Sequence, residues 1–257
     1  MPTELTLSLG ALYAFALVLA RVSGALVFVP LPGVNGAPEP ARVVLAGAVT
    51  LALAGRWPAV DAAAISPGRL AGWAASEAAV GIAIGVAVAI VLEAFVLAAQ
   101  VLGLQAGYAY ASTIDPNTQA DSGLLLVFAQ LAASLLFFAA GLDREVLRLF
   151  AWSLEKVPPG AYVFGPASAR ALLQFGASLF SVGLRLAFPV VALLVMVDVA
   201  LALLGRVQSQ LQLLSLAFPA KMALALLVLG WGTLLFPRLE RELFGQASAT
   251  ARRLLGP

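Results

Sequence analysis

Residues 107–122 read GYAYASTIDPNTQADS, a polar interruption between two of the longest apolar runs in the chain. The stretch is too polar to cross a bilayer as helix, and it contains no Lys or Arg. Asp115-Pro116-Asn117 is turn chemistry, because an Asp side chain bonds to backbone two residues on and Pro presets its own φ. Ser112, Thr113, Thr118 and Gln119 supply side-chain groups that satisfy freed backbone donors and acceptors. The helix entering from Leu70 is therefore predicted to stop near Ser112. A loop of this kind is either a short extracytoplasmic connection or irregular backbone held inside protein, lining or blocking a water-filled path.

Composition settles the broad class. Of 257 residues, 62% are hydrophobic and 11% charged, with a mean hydropathy of +1.00. Soluble domains carry about a quarter of their residues as charges, so the sequence indicates an integral membrane protein, all-α and multi-helix. The net charge of +2 is small and the basic residues are spread along the chain, which argues against a nucleic-acid partner. The absence of Cys and His excludes disulfides, thiolate nucleophiles, imidazole bases and the commonest zinc sites. Neither a catalytic site nor a metal or cofactor is expected, and an enzyme would have to run on carboxylates, Ser, Lys or Tyr.

Outward from the loop, six apolar runs are legible. Residues 5–29 hold the single charge Arg21 and are long enough to cross a hydrocarbon core, which needs about 20 residues. They end at Pro30-Leu31-Pro32-Gly33, where proline removes donors and biases its predecessors away from helix. A shorter run follows at residues 41–53. Ser66 is a good N-cap and Pro67 suits a first helical position, so the third helix begins there. From that point to Ser112 there is no strong breaker, and the helix is either long and projecting or broken near Gly103 or Gly107. Small residues at four-residue spacing, Gly81 with Gly85 and Gly103 with Gly107, let neighbouring backbones approach. Residues 123–142, 171–204 and 213–236 are the remaining runs, with charges at residues 143–148 between the first two. Pro189 makes the run at 171–204 a Pro-kinked pair or a bent helix. In this six-run arrangement one set of connections holds ten Lys and Arg and the other two, which places both termini in the cytoplasm.

Arg21, Glu77, Glu93, Arg185, Asp198 and Lys221 interrupt the apolar runs. Each costs about 2.5–3.5 kcal/mol near a bilayer centre, so each must face protein or water. They read either as an ion or proton path through a transporter or as buried pairs that fix helix packing in an assembly. Three acids against three bases suit mutual pairing.

The order and spacing of several motifs resemble the flagellar biosynthetic protein FliR family, which is similar to the T subunit of injectisome export gates. The motifs are Ala20-Arg21-Val22-Ser23-Gly24 followed by Pro30, then Pro40-Ala41-Arg42-Val43. Glu77 with Gly81 and Gly85, and residues 103–107 running to Ile114-Asp115-Pro116, follow. Ser153 to Gly160, Leu184-Arg185-Leu186 with Pro189 and Asp198, Arg206-Val207 and Phe218-Pro219-Ala220-Lys221 complete the set. The chain departs from the family at Asp143-Arg144, where a Gly-His pair is usual, and after Arg206, where an x-Pro-Gln step is common. The resemblance implies a non-enzymatic subunit of the type III protein export gate, multi-pass in the bacterial inner membrane at the flagellar basal body. It also implies FliP-like and FliQ-like companions, an FlhB-like export switch protein, membrane lipid around the assembly and unfolded exported flagellar proteins as cargo. Residues 1–170 would be a FliP-like part and residues 171–257 a FliQ-like helical hairpin with a basic tail. The loop at residues 108–122 would be the pore plug, with Tyr108, Tyr110, Ser112, Thr113, Asp115, Pro116 and Asn117 in it.

Overall fold

The computed structural model describes residues 8–29, 39–61, 66–108, 124–158, 160–162, 165–207 and 213–255. Within them the chain is helical, with no strand: α1 Leu9–Leu26, α2 Glu39–Ala52, a 3-10 turn Ala54–Arg56, α3 Pro67–Ala106, α4 Leu124–Ala139, α5 Leu142–Lys156, α6 Pro166–Val207 and α7 Leu213–Leu255. Local chemistry sets several of these ends. The hydroxyl of Ser8 accepts from the Ala11 amide at 3.2 Å and caps α1. Ser66 does the same for α3, accepting from the Arg69 amide at 3.4 Å with Pro67 at the first helical position. At its other end α3 stops at Ala106, because Gly107 takes a left-handed φ of +90°. The stop comes six residues before the predicted Ser112, at one of the two glycines where a break was expected. Gly141, at φ +72°, separates α4 from α5, and Asp143 and Glu145 then occupy the first turn of α5, where a carboxylate favours the helix dipole.

Three of the long helices run past what one bilayer crossing needs. At 1.5 Å per residue the 40 residues of α3 extend about 60 Å, against about 30 Å of hydrocarbon. α6 continues as helix through Pro189 for 42 residues and α7 through Pro219 and Pro237 for 43, so of the two forms expected for residues 171–204, a Pro-kinked pair or a bent helix, the single helix is the one found. The count of six crossings is corrected. Among the described residues α1, α3 and α6 are long and apolar enough singly, and two bent pairs bring the number to five at most. α2 is too short, since its 14 residues reach only about 21 Å.

The helices form two compact units, each drawn from separated segments. One comprises residues 1–90, 141–176 and 243–257, in which α1 packs on α2 and on the first part of α3. Here the Phe15 and Trp57 rings meet edge to face at 5.6 Å, and the Arg252 guanidinium lies 5.3 Å from the Trp152 ring centre. The other comprises residues 91–140 and 177–242. In it the end of α3 packs on α6 at Gly183, against Leu97 and the Ala94 carbonyl, and on α7 through Phe95 and Phe236, whose rings are 4.0 Å apart.

Candidate functional site

Two polar clusters hold the charges that interrupt the apolar helices. In the first unit Arg21 of α1 is fully buried, and its Nε donates to Glu77 Oε2 of α3 at 2.6 Å. Its Nη1 donates to Ser153 Oγ at 3.1 Å and its Nη2 to the Val157 carbonyl at 2.9 Å. One guanidinium therefore joins α1, α3, α5 and the chain just past α5. Ser153 passes its own proton to the Phe150 carbonyl at 2.8 Å, which leaves its oxygen free to accept. Glu77 Oε1 has no partner among the described residues. The neighbouring turn is tied to α3 as well: Ser76 Oγ donates to the Tyr162 carbonyl at 2.7 Å, and Gly160, at φ +75°, lies against the indole of Trp73.

The small-residue stripe explains how α1 comes this close. A Cβ on Gly81 would fall on the carbonyl of Arg21, one on Gly85 would stand 2.5 Å from the Ala25 carbonyl, and one on Gly24 would stand 2.6 Å from the Ala78 carbonyl. Backbone lies against backbone at all three, so no rotamer change makes room. Gly103 is different, since a Cβ there would meet only Leu125 Cδ2 at 3.5 Å, an ordinary contact.

The second cluster, in the other unit, lies at the end of α3. Lys221 of α7 donates to both carboxylate oxygens of Asp198 on α6, at 2.8 and 2.9 Å. Gln105, in the last turn of α3, donates to Asp198 Oδ2 at 3.3 Å. Two residues past the helix, the Tyr108 hydroxyl donates to the Met222 carbonyl at 3.1 Å. Burial raises the phenol pKa of Tyr108, so it stays protonated as the donor. Gly107 between them lies against the Phe218 ring, 2.6 Å from where its Cβ would stand. The point where the chain leaves α3 is thus fastened to α6 and α7 by a charge-assisted network and a close ring contact. Tyr110, Ser112, Thr113, Asp115, Pro116 and Asn117 lie outside the described residues.

The six charges therefore part company. Arg21 with Glu77 and Asp198 with Lys221 are pairs, whereas Glu93 on α3 and Arg185 on α6 are exposed and make no ion pair among the described residues. Sequence reasoning named Ser153, Val157 and Gln105 only within motif segments and not as partners of the charges, a role that only tertiary neighbours reveal. It passed over Glu240, fully buried with neither carboxyl oxygen partnered among the described residues. A signal for Glu240 was present in its spacing, for Phe236, Glu240, Leu243, Ala247, Ala251 and Leu254 recur every three or four residues and are all buried.

The family described as "Bacterial export proteins, family 1" matches residues 12–247. The chain is 30% identical over 203 residues to the flagellar biosynthetic protein FliR of Escherichia coli (strain K12), covering 79% of this chain and 76% of that protein. It is 27% identical over 220 residues to the protein of the same name in Caulobacter vibrioides, covering 84% and 87%. A third relative of that name, from Bacillus subtilis (strain 168), is 26% identical over 248 residues, 94% of each chain.

Proposed function

Because this chain belongs to the bacterial export proteins of family 1, the family of flagellar biosynthetic protein FliR, we propose that it is a non-enzymatic subunit of the flagellar type III protein export gate. In this reading it joins FliP-like and FliQ-like subunits in the inner membrane at the basal body, with an FlhB-like switch protein nearby. Together they enclose the pore through which unfolded flagellar proteins leave. Residues 1–170 take the part of a FliP-like subunit and residues 171–257 that of a FliQ-like hairpin.

The observation that carries this reading is the bare apolar surface of α6. Leu173, Phe180, Phe188, Met196 and Leu204 are all exposed. The first and last are 31 residues apart, about 46 Å along a helix, whereas a bilayer covers about 30 Å. Tilt within the usual range does not absorb the difference, so part of that surface requires protein against it. Companion subunits supply that cover and a lone transporter does not. The names of the relatives favour a flagellum over an injectisome.

The loop at residues 108–122 is the plug of this gate. Its small polar residues and lack of positive charge suit a segment that moves aside for a passing chain. The Asp198–Lys221–Gln105 network and the Tyr108 hydrogen bond hold the end of α3, from which this stretch departs, against α6 and α7. Purification in mild detergent from cells that co-express the two companions tests the assignment. A stable larger complex is expected; a chain that stays alone and moves a solute into liposomes contradicts it.

A further inference from the structure

The second unit contains a cavity of about 440 Å³ between α3, α6 and α7. Phe95, Ala98 and Leu102 form its α3 wall, and Pro189, Val190 and Leu229 are among the apolar residues opposite. Gly232 also lines it, and among the described residues no atom lies within 4 Å of where a Cβ would stand there, so the missing side chain leaves space. Three charged residues stand at this otherwise apolar cleft: Arg185 on α6, and Arg238 and Glu242 on α7. None of the three makes an ion pair among the described residues. An arginine in an apolar helix is costly unless an anion or water meets it, and here two of them share one cleft.

We propose that this cleft binds an anionic phospholipid, with one acyl chain in the apolar cavity and the phosphodiester at Arg185 and Arg238. The volume falls within the roughly 300–1,000 Å³ of small-ligand sites and suits one chain rather than a whole two-chain lipid. A cavity lined by Phe, Leu and Val does not hold water well, so a hydrocarbon tail is the occupant that the surrounding solvent supplies. Guanidinium forks match phosphate oxygens in charge and geometry, and basic pockets between membrane helices are where anionic headgroups are held. Two guanidiniums against one carboxylate leave one net positive charge. That balance complements phosphatidylglycerol, whose phosphate is its sole charge, and gives no such gain with phosphatidylcholine, whose ammonium cancels it. The site is independent of the role assigned to the loop.

Native mass spectrometry of the full chain in detergent, after incubation with dioleoyl phosphatidylglycerol or dioleoyl phosphatidylcholine, tests it. One phosphatidylglycerol per chain is expected to survive activation that strips phosphatidylcholine. Arg185→Gln combined with Arg238→Gln should lower the retained fraction about tenfold or more, since each charge-assisted contact is worth about that factor. Ala98→Phe, which fills the cleft and leaves both charges in place, should lower it comparably. Equal retention of the two lipids by the unaltered chain would overturn the proposal without recourse to any variant. So would undiminished phosphatidylglycerol on the double variant, or on Ala98→Phe, which would move the lipid to the outer surface. A complex purified with its companion subunits that carries no phosphatidylglycerol at this site would show protein in the cleft instead, and would equally overturn it.

Discussion

Replacing Arg21 by Met removes the donors that Glu77 Oε2, Ser153 Oγ and the Val157 carbonyl share, and strands a carboxylate whose side chain is 1% exposed. Breaking a buried pair in this way costs about 3–5 kcal/mol. Glu77→Gln leaves the buried guanidinium without its counter-charge but is milder, because the amide oxygen still accepts from Arg21 and the guanidinium keeps its contacts to Ser153 and Val157. It loses the charged character of one hydrogen bond, about 1.5–3 kcal/mol. The double variant Arg21→Met with Glu77→Gln strands neither charge, so its cost should fall well below the sum of the two single losses. Thermal unfolding in mild detergent reads these differences at about 2–4 °C per kcal/mol for a chain of this size. Arg21→Met should therefore melt about 6–20 °C below the unaltered chain and Glu77→Gln about 3–12 °C below it. If Arg21→Met melts with the unaltered chain, or the double variant loses the full sum, Arg21 does not hold α1, α3 and α5 together through its charge.

Gly81→Ala places a methyl on the Arg21 carbonyl and should cost about 1–3 kcal/mol of stability. Gly47→Ala on α2, where nothing lies within 4 Å, should be neutral or gain up to about 1 kcal/mol, and melting temperatures separate the two. Asp198→Ala leaves Lys221 unpaired at 9% exposure, while Asp198 itself was 43% exposed. A cost of about 2 kcal/mol follows, between those of exposed and fully buried pairs, and recovery of the assembled complex should drop several-fold; unchanged recovery would show that the pair is not needed. Glu240→Gln removes a buried carboxyl whose oxygens find no partner among the described residues, and should raise the melting temperature of the isolated chain most at alkaline pH, where the carboxyl must ionise; a fall at alkaline pH would mean that the carboxylate has a partner of its own.

Much of the helical frame is legible in the sequence, because it rests on local chemistry. Ser66 and Pro67 mark the start of α3, and the apolar runs mark the bodies of α1, α3 and α6. Helix ends that depend on a single glycine conformation are less legible. The stop at Ala106 needs Gly107 at positive φ, and the Phe218 ring that packs there is over a hundred residues away in the chain. The continuity of α6 through Pro189 is not written locally, since a proline inside a helix costs a hydrogen bond and reads as a break. Charge pairing follows the same division. Composition makes pairing expected for six charges, but Arg21 and Glu77 are 56 residues apart and Asp198 and Lys221 are 23 apart. Nothing in the spacing of Glu93 and Arg185 distinguishes them from those that pair, and they differ only in lying on exposed faces.

Gate closure by the loop is tested most directly by deleting Ser112 to Gln119 and measuring solute or ion entry through the assembled complex, in cells and in liposomes. A loop lying in the pore contributes little to helix packing, and its root at Tyr108 remains anchored to Met222, so the deletion variant should still assemble. Should it fail to do so, substitutions at Tyr108 and Tyr110 take its place in the same assay. The resting gate is predicted to leak, with growth slowed in proportion to expression. An assembled variant as tight as the parent would contradict the plug, because removing a connection outside the pore opens no path through it.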